Sequence, residues 1–486
     1  MVGSRNPGER EGLLATLADE PAASRPRIDV RDVARKLSLA AVVSIIFFSV
    51  SGGPYGLEDT IGESGPGMGL LLIILTPILW ALPASLVVAE LGTALPVQGG
   101  YYYWVKTGLG RFWGFQEGWW SWITSWVDLA IYPVLFVDYS AYFFPVLGHN
   151  QWLRWLVALA VIWPFALLNM RGSSLVGDSS KLFLVIVLAP FLLMTVIGLF
   201  NMSHNPFTPL TYPGVDLLPA FGAGLFVVMW NYMGWDGLST AAGEIENPRR
   251  DYPRALAITI PAITLIYLLP TLVALAVVGA NEVEWTAGAY NVVAEQVAGH
   301  WLGTFMTLGA LIAAIGLYSA WLLQYSRIPA ALSEDGYLPE SVERVHPQWG
   351  TPVRAILICA IICSIAAIGA FQVLVVVDVT IYAFALLLEF AALIALRIKH
   401  PTLRRPYRIP GGWLGIGLVA VGPLLVLAIA IYFQVLDVGI VEGIGWAAAG
   451  MATGPIAYVI LKRRKERLGI DHVIDLEFED GRPEVI

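Results

Sequence analysis

Charge is scarce in this chain. Of its 486 residues only 14% are Asp, Glu, Lys or Arg and 57% are hydrophobic, whereas soluble proteins carry about 25% charged residues. The mean hydropathy is +0.69. A soluble chain of this length would need two to four domains. Here apolar segments instead fill nearly everything between residues 37 and 461, which leaves one membrane domain. Cysteine is almost missing: Cys359 and Cys363 stand one helical turn apart in an apolar segment with no His or Asp beside them. They are read as small core residues, not as a disulfide framework or a metal site. The glycine-rich phosphate loop that ends in Gly-Lys-Ser or Gly-Lys-Thr is also absent, so no machinery for ATP-driven pumping is visible and no cofactor is expected. A net charge of −8 without a basic face carries no nucleic-acid message. The six histidines (His149, His204, His300, His346, His400 and His472) are scattered, which argues against a metal-dependent membrane enzyme, and no repeated charge or carbonyl ring suggests a channel.

What is present is a run of twelve apolar stretches: about 37–62, 67–92, 113–145, 151–169, 179–200, 217–243, 254–279, 299–326, 353–370, 373–397, 413–435 and 440–461. The third is too long to stand straight and upright in a bilayer of ~30 Å. Lys and Arg mark the cytoplasmic ends of such spans. They fall on alternate connections, at Lys106 and Arg111, Arg171, Arg249 and Arg250, Arg344, Lys399 to Arg408, and the cluster from Lys462. Only Arg154 breaks the alternation, and the connections 201–215, 280–296 and 436–443 contain no Lys or Arg. Both termini are therefore expected in the cytoplasm of a cell whose cytoplasmic membrane the chain crosses. Residues 1–34 form a polar tail without the pattern of a signal peptide, residues 35–461 the membrane domain, and 462–486 a second, solvated tail.

Two of the spans are interrupted. Gly52-Gly53-Pro54 divides the first, and Gly234 with Gly237 divides the sixth, about 180 residues later. Unsatisfied backbone groups are costly in hydrocarbon, so such breaks persist where they line an enclosed cavity or meet a ligand. Matching breaks in two halves are the mark of inverted-repeat transporters. Ser51, Gly52, Gly53 and Pro54 could offer amide N–H groups to a carboxylate at a half-helix end, or simply kink the helix. In 230-WNYMGWDG-237, the carbonyls of Trp230, Asn231, Tyr232 and Met233 and the carboxylate of Asp236 could receive a cationic group; Asp236 could equally cap the half-helix that follows. Glu58 and Asp59, after the first break, read as capping residues. On the third span Glu117, Ser121, Thr124, Asp128 and Tyr132 recur at spacings of four, three, four and four, which places them on one helical face. That face looks into a cavity or hydrogen-bonds neighbouring helices. Tyr318, Trp321 and Tyr325 on the eighth span either wall the cavity with cation–π surface or pack against neighbours. Lys181, near the start of the fifth span, is a candidate proton carrier, with snorkelling to the interface as the alternative.

Six motifs in order carry a resemblance: SGGPYG at the first break, 90-ELGTALPVQGGYYYWVKTGLG-110, 114-GFQEGWW-120, 243-GEIENPRRDYPRAL-256, 334-EDGYLP-339 and 405-RPYRIPGG-412. Together they resemble the amino acid/polyamine/organocation superfamily over nearly the whole membrane domain. The segments 128-DLAIYPVLFVDY-139 and 388-LEFAALIALR-397 are similar to its branch of plant-type polyamine transporters and their bacterial relatives. The resemblance implies an all-α integral membrane protein of twelve transmembrane helices with the five-plus-five inverted-repeat, leucine-transporter-like fold: repeat one over 37–200, repeat two over 217–397, broken helices one and six, and accessory helices over 413–461. It implies alternating access and a span-five lysine, matched by Lys181, that marks proton-coupled members. In that branch the eighth span carries acids where this chain has Ser319 and Trp321, which favours an amino acid as substrate over a polyamine. The amino acid carboxylate would meet Ser51 to Gly53 and its amine the carbonyls of Trp230 to Met233, with Asp128, Asp236 and Glu117 as charge sites for a cationic ligand. Exchange of amino acids is a further alternative. The expected partners are the substrate, protons and the lipid bilayer; the link between spans three and four has no cysteine for a disulfide-linked heavy chain.

Overall fold

The computed structural model describes residues 38–470, apart from 98, 172–173, 240–244, 246, 280–281, 327, 345, 347–348 and 350, together with 476–479 and 482–485. The N-terminal tail over 1–34 lies outside the described residues. Between residues 38 and 470 the regular structure is helical. The first span is two helices, α1 (Leu39–Val50) and α2 (Glu58–Ser64). Ser51 leaves helical space at φ −137° and ψ 120°, and Gly53 and Gly56 continue at φ +92° and +86°, a region glycine enters without Cβ strain. Helix α3 (Pro66–Thr76) passes through a wide π turn at Pro77–Ala81 into α4 (Leu82–Ala94); Pro77 and Pro83 lack the N–H groups that a regular ladder requires there.

Then follow α5 (Gly100–Leu109), α6 (Arg111–Ser140), α7 (Gln151–Met170) and α8 (Ser174–Gly198). The sixth span opens as α9 (Leu217–Ala223) and α10 (Leu225–Trp230) before its break. The rest of the bundle is α11 (Pro248–Val278), α12 (Ala289–Ala298), α13 (His300–Tyr325), α14 (Ile328–Glu334), α15 (Glu340–Glu343), α16 (Val353–Ala366), α17 (Phe371–Lys399), α18 (Gly412–Ile440) and α19 (Trp446–Arg467). A hairpin of β1 (Leu476–Glu479) and β2 (Arg482–Val485) pairs antiparallel near the C-terminus. Among the described residues seven helices are long and apolar enough to cross a membrane, and Val185–Gly198 and Val353–Ala366 are shorter apolar helices. The interrupted spans fall short of a continuous crossing because their breaks divide them.

Three boundaries differ from the sequence reading. The third span is one continuous helix, α6, that ends at Ser140 and not at 145, with Pro133 inside it. The last two apolar stretches meet at a kink at Gly439 (φ 84°, ψ 170°) followed by a π turn at Val441–Gly445. The basic cluster from Lys462 belongs to α19, which runs on to Arg467; cations at a helix C-terminus complement its dipole.

The same local frame occurs twice. Gly99 (φ 89°, ψ −6°) opens the ten-residue α5, and Gly110 (φ 97°, ψ 173°) turns it into the long α6. Gly288 (φ 106°, ψ −6°) opens the ten-residue α12, and Gly299 (φ 90°, ψ 176°) turns it into the long α13. Helices α6 and α17 pack along each other through the middle of the bundle, with α5 and α13 also against α6. At the Lys/Arg-rich end, two of the sequence motifs close on one another. Glu90 accepts from Arg397 Nε at 2.7 Å, Arg397 Nη2 at 2.5 Å and Ile409 N at 2.7 Å. Asp335 of the 334–339 motif binds Lys106 Nζ at 2.6 Å and Tyr102, and its carbonyl accepts from Lys465 Nζ at 2.6 Å. Nearby, partial burial and the flanking Lys399 and Arg405 hold the His400 imidazole below its ordinary pKa.

Candidate functional site

The two breaks face each other across an internal cavity. An added Cβ at Gly234, which has φ +89°, would meet the Ser49 carbonyl oxygen at 2.6 Å, so only glycine lets the second break come this close to the end of α1. Tyr267 of α11 ties the breaks together: its hydroxyl donates to Asn231 O at 2.9 Å and lies 3.4 Å from Val50 O. The cavity holds about 70 Å³, room for on the order of five waters at roughly 10–15 Å³ each.

One face of α6 supplies its floor. Ser121, Thr124, Asp128 and Tyr132 line the space, and the same residues bond along the helix: Ser121 Oγ donates to Glu117 Oε1 at 3.2 Å and Tyr132 OH to Asp128 at 3.1 Å. The two readings of that stripe therefore coexist. Asp128, 4% exposed, also accepts from Trp230 Nε1 at 3.2 Å and Tyr325 OH at 3.0 Å. All three donors are neutral. Trp321 stacks on Tyr325 with ring centroids 4.6 Å apart, and Trp230 leans over Tyr132 at 6.1 Å. The result is a carboxylate within an aromatic box, a setting that attracts an organic ammonium by charge and cation–π contact.

Asp236 lies at the far side of the second break. Its Oδ1 accepts from Tyr382 OH at 2.6 Å, and Tyr382 OH in turn receives Gly234 N–H at 3.3 Å. Of the other sequence candidates, Gly52, Trp230, Asn231, Met233 and Gly234 also line the cavity. Ser51, Gly53, Pro54, Tyr232, Tyr318 and Glu117 do not. Ser51 N caps α1 through Phe47 O, and Gly53 N bonds Ser51 Oγ at 3.2 Å. Tyr232 OH donates to Ile73 O and Tyr318 OH to Ile162 O. Glu117 stands behind Ser121. Lys181 falls within α8, but its side chain lies outside the described residues. Glu58 and Asp59 do not cap α2 as expected, because its N-cap is Leu57 without a side-chain cap hydrogen bond: Asp59 accepts from Gln372 at 3.3 Å, and the Glu58 carboxylate accepts from Gly56 N at 2.8 Å, Tyr139 OH at 3.1 Å and Gly288 N at 3.3 Å.

Several contributors were not singled out from the sequence. Tyr101 and Tyr382 line the cavity, and Asp378 and Glu389 are buried on α17. The acids had a signal: two carboxylates eleven residues apart in an otherwise apolar segment obey the rule that intramembrane charge is costly and functional. The tyrosines had none, since only tertiary packing brings them in.

The family model described as Amino acid permease matches residues 37–452. A polyamine transporter of Oryza sativa subsp. japonica is 33% identical over 438 residues, which cover 90% of this chain and 81% of that protein. A second polyamine transporter, from Arabidopsis thaliana, is 32% identical over 431 residues, 88% of this chain and 86% of its own. An uncharacterized transporter of Legionella pneumophila is 28% identical over 369 residues, 71% and 78% of the two chains.

Proposed function

We propose a specific cargo for this chain, which belongs to the amino acid permease family within the amino acid/polyamine/organocation superfamily and is a multi-pass membrane transporter, not an enzyme. It carries cationic amines, with putrescine and spermidine ahead of amino acids. The observation that carries this reading is Asp128, a buried carboxylate at the cavity whose three hydrogen-bond donors are all neutral. A carboxylate without a cationic partner in a low-dielectric site is a receptor for a positive group.

The preference reverses the expectation drawn from the eighth span. An amino acid's amine would look for free carbonyls in the second break, but three of the four carbonyls expected to receive it already accept: Trp230 O from Met233 N, Asn231 O from Tyr267 and Tyr232 O from Trp235 Nε1. Its carboxylate would look for amides in the first break, where Ser51 N and Gly53 N are engaged. Gly52 lines the cavity and keeps amino acid transport or exchange as the second reading.

Twelve spans in a five-plus-five inverted repeat accommodate the doubled breaks and the doubled glycine frame at 99–110 and 288–299. The one-sided distribution of Lys and Arg supports cytoplasmic termini in the cytoplasmic membrane, and its one exception, Arg154, is paired with Asp138. Transport runs by alternating access, driven by protons, with Lys181 as the coupling residue. Uptake by purified protein in liposomes under an imposed pH gradient tests the whole reading against a panel of neutral amino acids, basic amino acids, putrescine and spermidine. Accumulation of the amines supports it; accumulation of neutral amino acids alone overturns it.

A further inference from the structure

Helices α6 and α17 run side by side, and their acids fall at matching heights. Asp128 and Asp378 lie close enough to act on one another's charge, and so do Glu117 and Glu389. The two acids on each helix are eleven residues apart, three full turns, so the pairs are separated by about 16 Å along the axes. Asp236 sides with the lower pair: it acts on both Glu117 and Glu389, and it is held by Tyr382, one turn along α17 from Asp378 toward Glu389.

The lower pair has unused acceptors. Glu117 and Glu389 are each 1% exposed, and Oε2 of both has no hydrogen-bond partner among the described residues. Both oxygens of Asp378, 0% exposed, are likewise unpartnered there. Buried carboxylate oxygens left without donors are costly, and the cost falls when a ligand supplies the missing N–H groups. The cavity reaches this region through Ser121, Tyr101, Asp236 and Tyr382, and Glu117 is one hydrogen bond behind Ser121.

We propose that Glu117, Asp236 and Glu389 form a second ammonium subsite below the Asp128 box, so that the carrier selects linear amines bearing several separated cationic groups over monoamines. This rests on the cationic-amine reading and deepens it. Carboxylates this far apart suit a triamine such as spermidine, with one terminal amine in the box at Asp128 and the rest of the chain reaching the acids at Asp236, Glu117 and Glu389. A monoamine such as n-hexylamine satisfies the first position only.

The test is competition on the full chain in lipid nanodiscs, with radiolabelled spermidine displaced by spermidine, putrescine or n-hexylamine. Wild type should prefer spermidine over n-hexylamine by about a hundredfold, two tenfold steps of 1.4 kcal/mol each. Glu389→Gln and Glu117→Gln, nearly isosteric changes, should each reduce that ratio about tenfold by weakening spermidine while leaving n-hexylamine displacement unchanged. Glu389→Asp, which keeps the charge, should retain most of the ratio, and Glu295→Gln, on α12, should leave it at the wild-type value. Unchanged ratios in both glutamine variants, or equal weakening of both ligands, would overturn the subsite while leaving amine transport standing. Wild-type protein that binds no amine would overturn the functional reading itself.

Discussion

Replacing Asp128 by Asn isolates the charge at the centre of the site. Asp128 Oδ1 accepts from Trp230 Nε1 and Tyr132 OH, and Oδ2 from Tyr325 OH and Tyr132 OH. An asparagine can turn its carbonyl toward Trp230, which only donates, and its amide toward Tyr325, whose hydroxyl can rotate to accept. The side-chain network therefore survives with a cost to folding of about 1 kcal/mol. A bound ammonium does not escape so lightly. Removing one partner of a desolvated charge pair costs roughly 2–5 kcal/mol, so the affinity for a cationic amine should fall at least about thirtyfold, at 1.4 kcal/mol per tenfold. Any residual uptake of a neutral amino acid should change by no more than a fewfold. The assay is concentration-dependent uptake of putrescine and of a neutral amino acid into proteoliposomes, with the melting temperature of the detergent-purified variant as the control on folding. Equal loss for both substrates, or undiminished putrescine uptake in a stable variant, would remove Asp128 from substrate recognition.

Lys181→Ala should abolish the dependence of uptake on an imposed pH gradient while exchange across symmetrical solutions persists; a gradient response equal to wild type rules out the coupling role. Gly234→Ala places a methyl group against the Ser49 carbonyl at φ +89°, so transport should drop at least tenfold with the protein still extractable as a monodisperse species, and wild-type uptake would contradict the close approach of the two breaks. Arg397→Met strips Glu90 of its bidentate partner, with Arg405 still 3.5 Å away, and leaving a buried charge short of its partner costs about 3–5 kcal/mol; thermal unfolding should shift down by several degrees, and an unaltered transition refutes the clasp. His400 has a lowered pKa, so the unfolded chain binds its proton more readily: stability is full above the ordinary histidine range and declines as pH falls through it. His400→Gln should flatten that decline in melting curves taken from neutral to mildly acidic buffer, and an identical decline in the variant excludes His400 as its source.

The sequence carried the parts of this structure that depend on hydrophobic length and on glycine. Long apolar runs became α6, α11, α13, α17 and α18, and the breaks fell at Gly52 to Pro54 and at Gly234, where positive φ at Gly53 and Gly234 requires glycine. The four-three-four-four spacing correctly gathered Ser121, Thr124, Asp128 and Tyr132 on one helix face. What stayed hidden depends on tertiary contact. The stretches that form α5 and α12 read as connections, because ten-residue helices along the bundle's ends have too little apolar length to register as spans. Tyr267 and Tyr382 look like any other apolar-segment tyrosine until packing brings their hydroxyls to the breaks, and Tyr101 lies in the stretch of α5 that reads as a connection. Basic residues from Lys462 onward read as a solvated tail because charge runs usually are, yet Lys465 extends α19 to reach Asp335.

The choice of tyrosine around these carboxylates has a physical logic. An ionised acid at a helix centre costs at least ~2.5 kcal/mol in a membrane, so the ordinary solution is a lysine or arginine partner. At the Lys/Arg-rich end of the bundle that solution is used: Glu90 is met by Arg397 and Asp335 by Lys106, and those carboxylates are closed to other cations. Around the cavity the donors are Tyr132, Tyr325, Trp230 and Tyr382. A phenol stabilises a carboxylate by one hydrogen bond without cancelling its charge, so the site can persist empty and still attract an ammonium. A lysine at any of these positions would occupy the site as a tethered substrate. On the cationic-amine reading, the separation of ion-paired acids at the Lys/Arg-rich end from tyrosine-held acids at the cavity divides carboxylates that hold the protein together from carboxylates that receive a ligand.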